Sequence, residues 1–356
     1  MPCHTIVHRQ DWFLEESYRA RTDREEPGFL DRSFELHFNE RPFLNHFSYL
    51  FITRTTKERM RQQSNFSVLC RGHILPREVR DKDGILRFLE AVEQFGRIIC
   101  DSGLVRLERL TTEEITGKGK EAGLVEKYFS LSQEDTTTLE DIRLGGAEMR
   151  VGDKRLSGHT LSDAGAVRTD GRYEKYSTDR SDCRLSFAAP VGLMLPYNHI
   201  CNQYVFIDDP SETLRHFEKA ARNMRSLSRY SRANEINRQW TEEYLNEAHS
   251  FGLVPVRCHC NVMAWSEDRE RLRNIRNDTG SALAQMGCKP RHNTVDAPTL
   301  YWAGIPGGEG DFPAEESFHT FIEQAACLFI GETNHASSLS PFGIKMADRL
   351  SGRGSR

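Results

Sequence analysis

Between residues 254 and 262 every second side chain is small and apolar. Val254, Val256, Cys258, Cys260 and Val262 alternate with Pro255, Arg257, His259 and Asn261. A period of two specifies a β-strand and excludes a helix. It also sends Cys258 and Cys260 to one face and His259 to the other.

The surroundings build on that strand. Ile200–Ile207 reads as a second strand, and Asp208-Asp209-Pro210-Ser211 supplies the chemistry of a helix start. Leu214, Phe217, Ala221, Met224 and Leu227 then share one face of a long helix, and a second helical piece runs to His249 before Gly252. After residue 262, Ser266 is placed to cap a helix whose stripe is Leu272, Ile275, Thr279, Leu283 and Met286, closed by Gly287. Thr299–Ile305 is predicted as a strand and 317–330 as a helix. The order strand, long helix, strand, helix, strand predicts an α+β fold, a mixed sheet with helices packed on one face.

The first half is less periodic. Phe29, Phe34 and Phe38 fit one helical face, Phe47–Thr53 a strand, and Lys57–Gln63 a basic helical run. Ile85, Phe88, Leu89, Val92, Phe95 and Ile99 predict a strong amphipathic helix with Gly103 at its C-terminal cap. Leu104–Leu110 alternates as a half-buried strand would. From 111 to 183 Gly, Ser, Thr, Asp, Lys and Arg dominate, and Gly152-Asp153 looks like the turn of a hairpin between Met149–Val151 and Leu156–Leu161. These shifts suggest an N-terminal α+β subdomain over 1–145, a hairpin and loop-rich connection over 146–185, a second α+β subdomain over 186–335 and an exit segment over 336–356.

Composition bounds the function. A chain of 356 residues, 38 % hydrophobic and 28 % charged, can bury a core under a polar surface. A formal charge of −4 gives no global reason to bind nucleic acid, so any basic site is local. No apolar run approaches the roughly 20 residues a bilayer requires. Nine cysteines spread from Cys3 to Cys327 without a CxxC pair suit a reduced, cytosol-facing protein.

Four pieces of chemistry can be weighed. Cys258, His259 and Cys260 are zinc-type donors, but strand alternation prevents them from converging, and the cysteines read as core. His319 and Cys327, eight residues apart on the expected helix, would stand about 12 Å apart, too far for a nucleophile and its base. The glycine-rich runs at 117–120 and 307–310 do not fit GxxxxGK[ST], so no phosphate-binding P-loop is expected, nor any cofactor. The fourth is a basic stripe. Arg215, Lys219, Arg222, Arg225, Arg229 and Arg232 recur at helical steps, and acidic residues are nearly absent between Glu218 and Glu235. Such a stripe can meet an acidic subunit, an anionic membrane surface or phosphate, or be an ordinary solvated face.

Several long segments resemble the TraG-type ATPases of conjugative transposons, within the type IV secretion and conjugation group. They are HFNERPFLNH (37–46), TTKERMRQQSNFSVLCRGHI (55–74), RYEKYSTDRSDCRLSFAAPVGLML (172–195), NQYVFIDD (202–209) and RNMRSLSRYSRANEIN (222–237). RCHCNVMAW (257–265), RHNTVDAPTLYWAGIPG (291–307) and DFPAEESFHTFIEQAACLF (311–329) belong with them. The resemblance implies the N-terminal domain of such a motor, which docks on inner-membrane subunits of the transfer apparatus, and it runs to 340–352, ahead of the family's P-loop. It implies a non-catalytic docking and assembly role, peripheral to the cytoplasmic face of the inner membrane. The implied partners are apparatus subunits, the motor domain and further copies of the chain. The alternative is a stand-alone nucleic-acid-binding or adaptor module using the same stripe, which the acidic balance and the scarcity of aromatic residues beside it disfavour.

Overall fold

The computed structural model describes residues 3–16, 28–40, 43–56, 81–103, 105–134, 140–145, 149–161, 172–173, 185–227 and 230–332. The basic run at 57–63 and the exit segment 336–356 lie outside them.

The chain opens with strand β1 (Cys3–Glu16), helix α1 (Phe29–Asn39) and strand β2 (Phe43–Thr56). Helices α2 (Lys82–Asp101), α3 (Thr112–Thr116) and α4 (Leu124–Ser130) follow. Short strands come next: β3 (Ile142–Leu144), β4 (Met149–Val151), β5 (Lys154–Leu161), β6 (Arg172–Tyr173) and β7 (Leu185–Ser186). Strand β8 (His199–Ile207) leads into α5 (Pro210–Leu227) and α6 (Arg232–Phe251), then β9 (Pro255–Ser266) and α7 (Arg269–Gln285). The last elements are β10 (Pro290–Asn293), α8 (Ala297–Ala303), β11 (Phe318–Phe321) and α9 (Ile322–Cys327).

The α+β class holds. One sheet of nine strands runs β2-β1-β8-β9-β5-β4-β3, with β10 added to β5 and β11 to β9. Every ladder among the described residues is antiparallel, where a mixed sheet was expected. The same sheet takes β1 and β2 from the expected 1–145 unit, β4 and β5 from the connection, and β8 and β9 from the 186–335 unit. A shared hydrogen-bonded ladder joins those three stretches in one sheet, and the residues that follow the composition shift near 111 include helices α3 and α4.

Helical elements cover both faces of the sheet, not one. On the first face Phe13, Cys201, Val205, Cys258 and Val262 pack with Leu283 and Met286 beside α7, and with Ala325 and Leu328. On the second, Trp12, Ile200, Met263 and Trp265 meet Tyr128 of α4 and Tyr301 of α8, while Ile6, Tyr204 and Phe206 meet Leu300, Ala303 and Phe312. Strand β8 is accordingly buried along both faces, all but its last residue. Two covered faces account for its near-continuous run of nonpolar and amide side chains.

Local chemistry explains most of the elements. Asp209 Oδ1 accepts from the backbone N–H groups of Ser211 and Glu212 at 2.8 and 3.1 Å, which starts α5 as expected. The cap of α7 is Asp268, not Ser266; its carboxylate takes the N–H groups of Glu270 and Arg271. Gly103, Gly252 and Gly287, at φ 69°, 63° and 78°, close α2, α6 and α7 in the left-handed region that glycine enters freely. The hairpin at Gly152 forms as expected.

Three expectations change. Residues 105–110 form no strand, and Val105 and Leu107 are exposed; alternation supplies a half-apolar face but no neighbouring strand to pair with. Residues 299–303 belong to helix α8, where Pro298 sits in the first turn and Leu300, Tyr301 and Ala303 turn inward. The expected helix 317–330 divides into β11, paired with β9, and the short α9. Helix α2 does form, but none of its residues is buried, and Ile85, Leu89 and Phe95 remain about two-fifths exposed.

Candidate functional site

Helices α5 and α6 form a pair inserted between β8 and β9, which are themselves adjacent in the sheet. The base of this insertion is fixed by charge. Arg257 Nε donates to Asp208 Oδ2 at 2.7 Å, and Arg257 Nη1 donates to Ser317 Oγ at 3.2 Å. His4 Nδ1 meets the other oxygen of Asp208, so β1, β8, β9 and the start of α5 share one carboxylate. Burial pushes the Asp208 carboxyl up, but hydrogen bonds and charge from His4 and Arg257 outweigh it and hold it below the usual carboxylate range. Further along, Phe217 of α5 meets Tyr244 of α6 at 4.9 Å, and Tyr244 stacks on Phe321 of β11 at 4.6 Å.

The structure divides the basic stripe. Arg215, Lys219, Arg222 and Arg225 are exposed along α5. Arg229 lies outside the described residues, and Arg232 opens α6, so the six side chains do not continue along one helix. The stripe is also partly compensated, which the sequence spacing hid. Helix α6 brings Glu242 to 3.6 Å from Arg225. Glu218 lies on α5 itself, with His249 of α6 at 3.7 Å. Arg238 ties Glu242 to Glu235, each at 2.6 Å. That leaves Arg215, Lys219 and Arg222 on α5, and Arg232 on α6, as the stripe's cations without a carboxylate partner among the described residues. Arg215 and Arg222 each donate Nε to the backbone carbonyl four residues earlier, at 3.3 Å. Trp240, 67 % exposed, lies on α6, and Tyr230, 85 % exposed, in the turn between the two helices.

The other residues weighed for chemistry fall inside the fold. Cys258 and Cys260 lie on the face of Val256 and Val262, and His259 on the opposite one, as alternation implies. Burial pushes the Cys258 thiol well up and that of Cys260 up to about 12, so neither is a poised nucleophile. His319 packs edge-on against Phe217 at 4.8 Å. Gly307 and Gly308 form a turn in which the Gly307 N–H donates to Glu309 Oε1 at 3.3 Å.

A buried polar layer escaped sequence reading altogether. On the α8 face, His8 Nδ1 meets Glu309 Oε1 and His8 Nε2 meets Asn202 Oδ1, both at 3.1 Å. Gln10 Nε2 donates to Asn202 Oδ1 at 2.9 Å and to the Gly304 carbonyl at 2.8 Å. Asn261 Nδ2 contacts His259 Nε2 at 2.9 Å, and Thr53 Oγ1 donates to Glu309 Oε2 at 2.9 Å. His8, Gln10, Asn202 and Glu309 are fully buried, and the layer separates the two apolar clusters of that face. The signal lay in the two asparagines, Asn202 within β8 and Asn261 within β9, both strands rich in apolar residues.

The fold therefore defines the chain as an antiparallel α+β sheet domain carrying an exposed, partly basic helical pair. No family model and no curated protein matches the sequence. No helix among the described residues is long and apolar enough to cross a membrane.

Proposed function

We propose that this chain is a docking and assembly domain of a conjugative DNA-transfer ATPase, with no catalysis of its own, that couples the motor to inner-membrane subunits of the transfer apparatus from the cytoplasmic side. The observation that carries the reading is the α5–α6 pair. It is rooted in the sheet through Asp208 and exposes Arg215, Lys219 and Arg222 along α5, Tyr230 in the turn between the helices and Trp240 on α6. Exposed cations and exposed aromatic side chains on one helical insertion suit an acidic protein partner, since rim charges steer association and aromatic anchors supply the buried contact. The resemblance to TraG-type segments supplies the partner class.

The test replaces Arg215, Lys219 and Arg222 with Glu in the full chain and measures co-purification with apparatus subunits, with Trp240→Ala as an independent variant. Loss of both associations with the circular dichroism unchanged is expected. Undiminished capture by both variants overturns the reading. Retention of duplex DNA that weakens steeply with added salt would transfer the surface to nucleic acid instead.

A further inference from the structure

Strand β2 ends the nine-stranded sheet. All 14 of its residues pair with β1, and no strand among the described residues lies on its other side. A sheet edge is ordinarily blunted by charge, proline, a bulge or brevity, because its outward N–H and C=O groups are a template for further pairing. The opposite end of the sheet follows that rule: β3 has 3 residues, Arg143 among them. Strand β2 does not. From Phe43 to Thr56 it contains no proline and no lysine, its register with β1 runs without a break, and its one residue of fixed charge is Arg54.

The side chains of β2 point the same way. Phe47, Tyr49 and Phe51 stand opposite Trp12, Gln10 and His8 of β1, so they form a row on the α8 face of the sheet. The Tyr49 and Phe51 rings stack with their centres 6.4 Å apart. All three residues are half-buried, as are Leu50 and Ile52 on the opposite face. Leu50 joins none of the apolar core clusters among the described residues, and Ser48 on the same face is exposed.

We infer that β2 is a self-association edge: two copies of this chain pair β2 against β2, antiparallel about a two-fold axis at Tyr49, and join their sheets into one. In that register Phe47 of each copy faces Phe51 of the other, and Tyr49 faces its own counterpart. Cross-strand aromatic pairs of this kind are a favourable unit of sheet structure. Residues 43–55 are matched, about 44 Å of edge, and each face of one sheet continues into the same face of the other. Moving the axis to Ser48 or Leu50 would set an aromatic ring opposite Asn45 or Thr53. Charge also suits a second copy. Arg54 falls opposite Leu44, about 34 Å from its own counterpart, so no like charges meet, and a single cation gives an oppositely charged partner little to recognise. The edge uses no residue of the α5–α6 pair and stands apart from the docking proposed there.

The experiment measures the mass of the full chain by sedimentation equilibrium over a range of concentrations. A reversible monomer–dimer equilibrium is expected. Ser48→Lys and Leu50→Lys, made separately, each set two cations about 7–8 Å apart across the axis. Each is expected to weaken association roughly tenfold or more with the circular dichroism unchanged, and should Ser48→Lys fail to fold, Leu50→Lys gives the same reading. Tyr49→Cys is expected to cross-link two copies under mild oxidation and Arg54→Cys is not, each measured against the parent chain with its own cysteines. A full chain that stays monomeric, leaving the edge to a strand of another protein, overturns the inference. So does a dimer that both lysine variants leave as tight, or one that cross-links through Arg54→Cys and not through Tyr49→Cys.

Discussion

Asn202 of β8 and Asn261 of β9 face each other in register, and the Asn202 Nδ2 donates to the Asn261 Oδ1 at 3.0 Å. Each then reaches a histidine, Asn202 to His8 and Asn261 to His259, so two amides join polar side chains on three adjacent strands. A slip of one residue between β8 and β9 would turn one amide to the opposite face and strand the other. The pair thus fixes register at the centre of the sheet, where apolar packing alone would tolerate more.

Replacing Asn261 with Leu is expected to destabilise the fold by about 1–3 kcal/mol for each buried group left unpaired, here Asn202 Nδ2 and His259 Nε2. Urea unfolding with an unchanged denaturant slope checks this, because an altered slope would mean an altered compact state. A cycle with Asn202→Leu should show strong non-additivity, since the two side chains share one bond.

Acid should weaken the protein well before carboxylates titrate. Burial pushes His199 and His259 down to about 4, only partly offset by bonds to backbone carbonyls, and burial with nearby cations does the same to His159. Unfolded, each ring titrates near 6.5, so between about 6.5 and 4 the unfolded chain binds more protons and stability falls as pH falls. The urea midpoint should be highest near neutrality and decline through that window. A midpoint flat from about pH 7 to 4.5 would contradict the buried neutral histidines.

Asp208 behaves in the opposite sense to a buried histidine while sharing its acid sensitivity. Its carboxyl is held below the ordinary value of 3.8, so the stability it adds is present above that pH and is lost as pH falls through the folded-state value. Asp208→Asn is expected to be less stable than the parent at neutral pH, with faster amide exchange in the first turn of α5. The difference should narrow below about pH 4. Equal exchange in α5 at neutral pH would show that Arg257 and His4 do not hold the helical pair.

The elements legible from sequence were those whose burial is one-sided or whose ends carry their own chemistry. Helix α7 could be read from Leu272, Ile275, Thr279 and Leu283, all of which are buried. Strand β9 was plain because its alternate positions differ so sharply in character. Strand β1 was not: its inward residues His4, His8 and Gln10 look solvent-facing until Asp208, Glu309 and Asn202 arrive from distant parts of the chain. The basic stripe was legible as a helical period, yet its compensation by Glu242 depended on how α6 returns alongside α5.

What the sequence by itself determined is therefore local: the periods of α2, α5, α7, β8 and β9, their glycine and aspartate ends, and the facing of Cys258 and Cys260 away from His259. Those follow from backbone geometry and from groups within a few residues of one another. The tertiary structure alone decided that one sheet joins both halves, that helices cover both its faces, and that α2 keeps an exposed apolar side. It alone also left β2 at the edge of the sheet. Each of these depends on which strand finds which partner, a choice made by packing and hydrogen bonding between residues far apart in the chain, which no short window of sequence contains.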